Sequence, residues 1–269
     1  FQFWLDHPPH AVAIDVETIS LDERQPLGFS IAFSPQEAVY FNLKDDTPRE
    51  LELVAPLLQD IRITKICHNS MFDLSVFPLI PVVGDKLNRS NIWDTNVAAR
   101  LLGYLETSLP ILSALKYNNT LISTKDLLAK YRAKTLQDVP QSEVADMCVN
   151  HSKTTYRLYL DWRQRIESKY GEYFKVEMEV IPILIELSMR GVLLDQKARA
   201  ELADRYGKEV EFYRGLVQSY GIDNPGSSQQ VGYMLGKRGN FLPMTRSKKQ
   251  LSTAEGNLGF LDDPLAAAV

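Results

Sequence analysis

The chain has 269 residues, of which 45% are hydrophobic, so it can form one large or two modest domains with a substantial core. Its formal net charge of −4 argues against a uniformly basic nucleic-acid coat protein, although it allows a local basic patch. The two cysteines and the lack of a CxxC pair indicate a reduced, intracellular protein without a disulfide framework. No apolar run reaches the ~18 residues of a transmembrane helix, and the first residues, FQFWLDHPP, lack the charged and apolar regions of a signal peptide. Because the sequence begins without Met, we expect a fragment of a longer protein.

The first part of the chain predicts strands that alternate with helices. The predicted elements are strands over Ala11–Ile14, Gly28–Phe33 and Ala38–Leu43, a helix from Thr47-Pro48, a strand over Ile61–Cys67, a helix over Met71–Phe77 and a segment over Ile92–Tyr104. Such an alternation is typical of an α/β sheet with helical cover.

The second part is predicted to be helical. Apolar spacing predicts a long helix over Val144–Arg165 and another over Val176–Arg190, with a possible kink at Pro182. Gly191 is expected to end the second of these helices, and Asp195 is expected to cap a charged helix that runs to Tyr220.

The stretch Asn224–Ala254 is basic and contains no acidic residue before its end. Its cationic residues are Lys237, Arg238, Arg246, Lys248 and Lys249. A basic stretch in an acidic chain predicts contact with a phosphate backbone, and a solvated surface loop explains it equally well.

The sequence AVAIDVETISL over Ala11–Leu21 carries two carboxylates. In a strand, Asp15 and Glu17 point to the same face because side chains alternate with period two. Two carboxylates ~7 Å apart repel each other unless a cation lies between them, and Mg²⁺ prefers carboxylate oxygens. The stretch therefore predicts either a metal site or a strand end with solvated acids.

Three motifs in this order, IDVET, KICHNSMFD and IWDTNVAARLL, resemble the proofreading 3′–5′ exonuclease domain of family A DNA polymerases. The resemblance implies an RNase H-like 3′–5′ exonuclease fold, in which helices flank a mixed sheet. It also implies that Asp15, Glu17 and Asp73 bind two Mg²⁺ or Mn²⁺ ions for the hydrolysis of 3′-terminal nucleotides. Asp94 fits a helix cap or a supporting acid better than a metal ligand.

The same resemblance implies contacts with the single-stranded 3′ end of DNA. The residues at the matching positions are Thr18, Leu21, His68, Asn69 and Phe72. Plain core packing is the other explanation for Leu21 and Phe72.

Further along the chain, VEMEVIPILIELSMRGVLLD, NPGSSQQVGYML and TRSKKQLSTAE resemble the start of the polymerase thumb. The resemblance implies an exonuclease-type domain over residues 1–170 and an all-helical thumb segment over 171–269. It implies that primer–template duplex contacts Lys237, Arg238, Lys248 and Lys249. Polymerase palm and fingers would then lie downstream of this sequence.

The chain departs from the family on its long helix. The family places a Tyr and, four residues later, an Asp over the metals, where the Tyr orients the attacking water. Aligned on the downstream TYRLY, this chain has Met147 and His151 at those positions. Three explanations remain open: a weakened or lost nuclease, a role for His151 as ligand or general base, or a shifted register in which Asp146 or Tyr156 supplies the group.

Together these patterns predict the N-terminal portion of a family A DNA polymerase with a 3′–5′ exonuclease domain. The predicted catalytic set is Asp15, Glu17, Asp73 and His151. Two alternatives are an exonuclease-fold domain without catalysis, which serves as a DNA-binding or structural scaffold, and a stand-alone 3′–5′ exonuclease.

Overall fold

The computed structural model describes residues 2–20, 24–44, 48–245 and 250–269. The predictions made for Leu21, Thr47, Arg246, Lys248 and Lys249 lie outside the described residues. The chain divides into two compact units, residues 1–191 and 192–269. The predicted division after residue 170 falls inside a helix that belongs to the first unit.

The first unit contains a mixed sheet in the spatial order β3-β2-β1-β4-β5. Its strands are β1 Ala11–Thr18, β2 Pro26–Ala32, β3 Ala38–Asn42, β4 Thr64–Cys67 and β5 Ile92–Asp94. β1 pairs antiparallel with β2 and parallel with β4, so the central strand joins the antiparallel half to the parallel half.

The alternation of β1 determines where its two carboxylates lie. Val12, Ile14 and Val16 pack into one apolar cluster, while Ala11 and Ala13 pack into a second cluster on the other face of the sheet. Asp15 and Glu17 continue the row of the two alanines, as the sequence predicts.

Eight described helices of the first unit pack around the sheet or border it. They are α1 Gln2–Asp6, α2 Pro48–Glu52, α3 Ala55–Gln59, α4 Ser70–Val76, α5 Thr95–Leu101, α6 Leu109–Tyr117, α7 Thr124–Tyr131 and α8 Gln141–Arg190. The prediction of one helix beginning at Pro48 is wrong, because α2 and α3 are separate. Pro56, in the first turn of α3, has no N–H with which to continue the hydrogen bonds of α2.

Helix α8 is a single helix of 50 residues that includes residues 166–175, so the prediction of two separate helices is wrong. The helix continues through Pro182, which lies inside the second predicted helix. Ile166 and Phe174 are buried in the cluster that α8 shares with the sheet, and their packing supports the segment between the two predicted helices. Gly191, with φ 70°, ends α8 as predicted. The face predicted from Val144, Cys148 and Trp162 is buried.

The second unit is helical. Its described helices are α9 Gln196–Ser219, α10 Ser228–Lys237, α11 Glu255–Leu258 and α12 Pro264–Ala268. It has its own apolar core, which includes Val217, Val231, Leu235 and Leu265. The side chain of Asp195 accepts hydrogen bonds from the backbone of Lys197 and Ala198, which confirms it as the cap of α9. Among the residues that the structure describes, no helix has the length and apolarity needed to span a bilayer.

Candidate active site

Asp15, Glu17 and Asp73 border one cavity of about 560 Å³, which we call the acidic cavity. It is lined by residues 15–20, by His68, Asn69, Phe72 and Asp73, and by Thr124, Lys125, Leu128, Lys134, Leu136 and His151. The sheet, α4, α7 and α8 thus each contribute residues to one site.

Asp73 reaches the site because the pairing of β1 with β4 stops at Ala13. Beyond this point the N–H of Val16 donates to Asp73 Oδ1 at 3.2 Å. This bond connects the first turn of α4 to the end of the central strand. It holds the Asp73 carboxylate beside the two carboxylates of β1.

The three carboxylates are held in surroundings that disfavour their charged forms. Burial raises the pKa of Glu17 and of Asp73 well above their usual values, and the charge of Asp15 adds to both shifts. Burial also raises the pKa of Asp15, and His151 opposes this shift only when its ring is protonated. A bound cation would favour the ionised forms of all three.

The Oδ2 atom of Asp15 is buried and has no hydrogen-bond partner among the described residues. A buried acceptor without a donor is costly, and a metal ion is one way to satisfy it. This atom and the neighbouring carboxylates fit divalent metal ions.

Helix α8 places His151 over Asp15. The Ser30 hydroxyl donates to the carbonyl of Cys148 at 2.9 Å, which holds this turn of α8 against β2. One turn later, His151 Nδ1 lies 3.8 Å from Asp15 Oδ2. Ligand atoms of Asp15, Glu17 and His151 all lie within 4.8 Å of one another. The structure therefore places at the cavity the residue that the family alignment selects.

Neither residue of the shifted-register explanation reaches the acidic cavity. Asp146 is exposed to solvent. Tyr156 packs in the apolar cluster of Trp93 and Tyr159. These positions exclude the shifted register and leave the other two explanations.

Met147 is buried in a small apolar cluster and does not line the acidic cavity. Its neighbours in the cluster are Leu127, Leu136, Val139 and Val144. The position where the family has a water-orienting Tyr is thus part of the core between α7 and α8.

Asp94 caps α5 through the backbone amides of Asn96 and Val97. It also accepts from the Ser70 amide at 2.7 Å and from the Ser70 hydroxyl at 2.6 Å. Its carboxylate therefore joins the starts of α4 and α5, as the helix-cap interpretation predicts.

Four residues predicted to contact single-stranded DNA, Thr18, His68, Asn69 and Phe72, line the acidic cavity. Asn69 is exposed and has φ 76°, and Phe72 packs partly against the core. The Thr18 hydroxyl donates to the Ser20 carbonyl. Their contact with DNA remains a prediction.

His68 is held by both ring nitrogens. Nε2 lies 2.8 Å from the Thr107 carbonyl, and Nδ1 lies 2.7 Å from the Thr95 hydroxyl. Burial lowers the pKa of His68 and favours its neutral form. The ring therefore supports the wall of the cavity.

Lys125 and Lys134 line the acidic cavity and were not predicted as site residues. Both are exposed, one on α7 and one in the segment that follows it. The only signal in the sequence is the density of cations between Lys125 and Lys134, which also suits a solvated face.

In the second unit, Arg238 is already bonded within the protein. Its Nε donates to both carboxylate oxygens of Asp263, and its guanidinium lies 4.8 Å from the Tyr220 ring centre. Lys237 is exposed at the end of α10. Arg238 is also exposed, and its charge is paired with that of Asp263.

The sequence pattern of a family described as 3′–5′ exonuclease, which occurs in family A DNA polymerases, matches residues 3–159, more than half of the chain. The chain belongs to this family. DNA polymerase I of Chloroflexus aurantiacus is 25% identical over 244 residues, a match that covers 84% of this chain. The chain spans only 25% of the length of that relative.

Two solved structures have a similar fold. NrnC of Brucella melitensis with bound Mg²⁺ matches with a TM-score of 0.53 and 22% identity, over 69% of this chain and 88% of that chain. The POL domain of Pol1 from M. smegmatis, in complex with DNA primer-template and dNTP, matches with a TM-score of 0.60 and 15% identity, over 96% of this chain and 43% of that chain. The first unit of this family member has the RNase H-like exonuclease fold predicted from the sequence, and a helical part follows it.

Proposed function

We propose that this chain is the N-terminal portion of a DNA-directed DNA polymerase and that its exonuclease domain hydrolyses 3′-terminal nucleotides. One observation carries the proposal. Asp15, Glu17 and Asp73 converge on one cavity, where burial disfavours their charge and Asp15 Oδ2 has no partner in the described protein. Family membership and the relative named DNA polymerase I support it.

Asp15, Glu17 and Asp73 would hold two Mg²⁺ or Mn²⁺ ions. Such a pair of ions activates a water molecule for attack on a phosphodiester and stabilises the leaving 3′ oxygen. The protein's contribution is to orient the carboxylates. The Val16 amide positions Asp73, and the strand alternation positions Asp15 and Glu17.

The proposed substrate is the single-stranded 3′ end of DNA. Phe72 and Asn69 provide a stacking surface and a polar contact at the cavity, and Lys125 and Lys134 provide positive charge for phosphates. Lys237, Lys248, Lys249 and Arg238 are proposed to contact primer–template duplex. Arg238 would do so only if DNA replaced its bond to Asp263. A downstream palm and fingers would complete the polymerase.

A time course with 3′-labelled single-stranded DNA tests the nuclease. With Mn²⁺ or Mg²⁺, the chain should shorten the strand from its 3′ end, while Asp15→Asn and Glu17→Gln should lose the activity at least ~100-fold, typical of lost transition-state stabilisation. A 5′-labelled strand controls for polarity. Equal, slow degradation by the three proteins would reject the nuclease and point to contamination.

A non-catalytic DNA-binding or structural scaffold is the second candidate. Two observations favour it: Met147 is buried in the core where the family has a Tyr, and His151 replaces a carboxylate. The scaffold predicts salt-dependent binding of DNA without turnover. A stand-alone exonuclease is a third candidate, because the match with NrnC covers 88% of that chain.

A further inference from the structure

The imidazole of His151 is oriented by a bond on the side opposite to Asp15. His151 Nε2 lies 2.9 Å from the carbonyl oxygen of Ile122. A carbonyl oxygen can only accept, so Nε2 carries the proton. In the neutral ring, Nδ1 then has a free lone pair.

That lone pair is directed to the carboxylates of β1. Nδ1 lies 3.8 Å from Asp15 Oδ2, which is too long for a hydrogen bond. Both atoms carry lone pairs, and Oδ2 is buried and receives no hydrogen bond from the part of the chain that the structure describes. Their separation allows both atoms to bind one first-row ion, because zinc–nitrogen and zinc–oxygen bonds, for example, are each about 2.0–2.2 Å and two ligands of one ion can lie up to twice that distance apart.

Glu17 supplies a third ligand atom for the same ion. The ligand atoms of Asp15, Glu17 and His151 lie within 4.8 Å of one another. A histidine that binds a metal usually donates its other ring N–H to a carbonyl or carboxylate, which fixes the tautomer and the ring plane. The Ile122 carbonyl accepts such a bond from His151 Nε2.

We propose that His151 Nδ1 is a metal ligand that makes this site selective for a first-row transition ion, such as Mn²⁺, over Mg²⁺. Mg²⁺ prefers oxygen ligands in octahedral geometry, whereas imidazole suits first-row ions such as Fe²⁺ and Zn²⁺. Mn²⁺ stands at the weak end of that series, so it is the most demanding transition-ion probe of a nitrogen ligand. Replacing a carboxylate with a neutral imidazole also removes one negative charge, which weakens the attraction for Mg²⁺ more than it weakens a partly covalent metal–nitrogen bond.

This inference rests on the proposed function in one respect only: it concerns the same metal site. It does not require that the site cleaves DNA. Binding of the ion can be measured without DNA. The two ideas therefore have separate tests.

The experiment uses the full chain and MnCl₂ as the probe. Pulsed EPR of the Mn²⁺ complex should show coupling to a ring ¹⁴N, and the coupling should vanish in both His151→Gln and His151→Asp. Loss of the signal of free Mn²⁺ gives the affinity, and added MgCl₂ gives the Mn²⁺-to-Mg²⁺ preference. We expect this preference to fall by about tenfold or more in His151→Asp, since changes even to outer partners of a ligand alter metal affinity about 10–100-fold.

A Mn²⁺ complex without ¹⁴N coupling would overturn the inference, and so would a coupling that persists in His151→Gln, because another histidine would then be the ligand. Equal preference in the wild type and His151→Asp, or no binding of Mn²⁺, would overturn it as well. The measurement on the unaltered chain does not depend on the folding of a variant. Nitrogen-ligated Mn²⁺ without DNA cleavage would retain the inference and reject the nuclease. Cleavage with Mg²⁺ but no ¹⁴N coupling would do the reverse.

Discussion

Asp73 and Asp94 are both buried aspartates of the first unit, and their hydrogen bonds assign them different roles. Asp94 accepts from four backbone amides and the Ser70 hydroxyl. Asp73 accepts from the Val16 amide alone among the bonds of the described residues, and its second oxygen is available for a cation. The groups that donate hydrogen bonds to a buried carboxylate thus indicate its role better than its burial does.

This difference in hydrogen bonding predicts that substitution of Asp94 mainly lowers stability, whereas substitution of Asp73 mainly impairs metal binding. Asp94→Ala should lower the free energy of unfolding by about 2 kcal/mol or more, because a helix cap and charge-assisted hydrogen bonds are lost together. Asp73→Asn should change stability less and should abolish binding of one metal ion. Chemical denaturation and Mn²⁺ titration of both variants measure the two quantities. A stable Asp94→Ala that fails to bind Mn²⁺ would assign Asp94 to the metal site.

Glu17 allows a test of how burial acts on charge. Its folded pKa is raised well above 4.5, so its contribution to stability is complete below about pH 4.5 and is lost as the pH rises through the folded value. In EDTA at pH 8, Glu17→Gln should therefore melt at a higher temperature than the wild type. One pKa unit is about 1.4 kcal/mol, or roughly 3–6 °C in a domain of this size.

The difference between the two melting temperatures should shrink towards pH 4.5, where both side chains are neutral. Saturating Mn²⁺ should reverse the order, because only the carboxylate gains from the ion. Thermal melts at both pH values, with and without Mn²⁺, check this. Equal melting temperatures in EDTA at pH 8 would show that Glu17 ionises at no cost.

At the scale of the element, the regular periodicity of the sequence predicts on which face of a strand or helix a side chain lies. The alternation of β1 predicts that Asp15 and Glu17 share a face. The position of His151 above them is implied by the resemblance to the exonuclease family and not by helical periodicity. The joining of the two predicted helices across residues 166–175 is not predicted, because it depends on packing of Ile166 and Phe174 against the sheet. The approach of Lys134 to the cavity likewise depends on how α7 packs, which no local pattern encodes.

Helix α7 and the segment after it offer a matched pair of lysines. Lys134 lines the acidic cavity, whereas Lys130 does not and pairs with Glu143 at 2.8 Å. In EDTA, Lys134→Ala should weaken binding of a single-stranded oligonucleotide and lower the slope of log K against log salt by about 0.7. Lys130→Ala removes the same charge and serves as the control. Titrations at several salt concentrations measure both slopes, and equal changes would indicate a general effect of charge.

At the scale of the molecule, two units with separate cores serve two predicted roles. The first unit concentrates buried acids around one cavity, whereas the second unit is helical and carries the basic stretch. Its Arg238–Asp263 pair shows that part of this positive charge stabilises the fold itself. A stretch identified by its composition thus contains residues with different roles.

Two separate cores predict two unfolding transitions. A substitution of Asp263 should show which of them belongs to the second unit. The side chain of Asp263 is buried and accepts hydrogen bonds from Arg238 Nε and, at 2.6 Å, from Asn240 Nδ2. It also caps α12 by accepting a hydrogen bond from the Leu265 amide. Asp263→Asn should therefore lower the melting temperature of the second unit alone, since it removes charge-assisted hydrogen bonds worth about 1.5–3 kcal/mol each.

The pH dependence of that shift follows from the ion pair. The Arg238 guanidinium lowers the pKa of Asp263 to about 2. The pair therefore stabilises the second unit fully above about pH 4, and this stability is lost as the pH falls towards 2. Calorimetry of the wild type and Asp263→Asn should show a difference in one transition that is constant from pH 5 to 7 and shrinks below pH 4. If both transitions shifted together, the two units would unfold as one cooperative body.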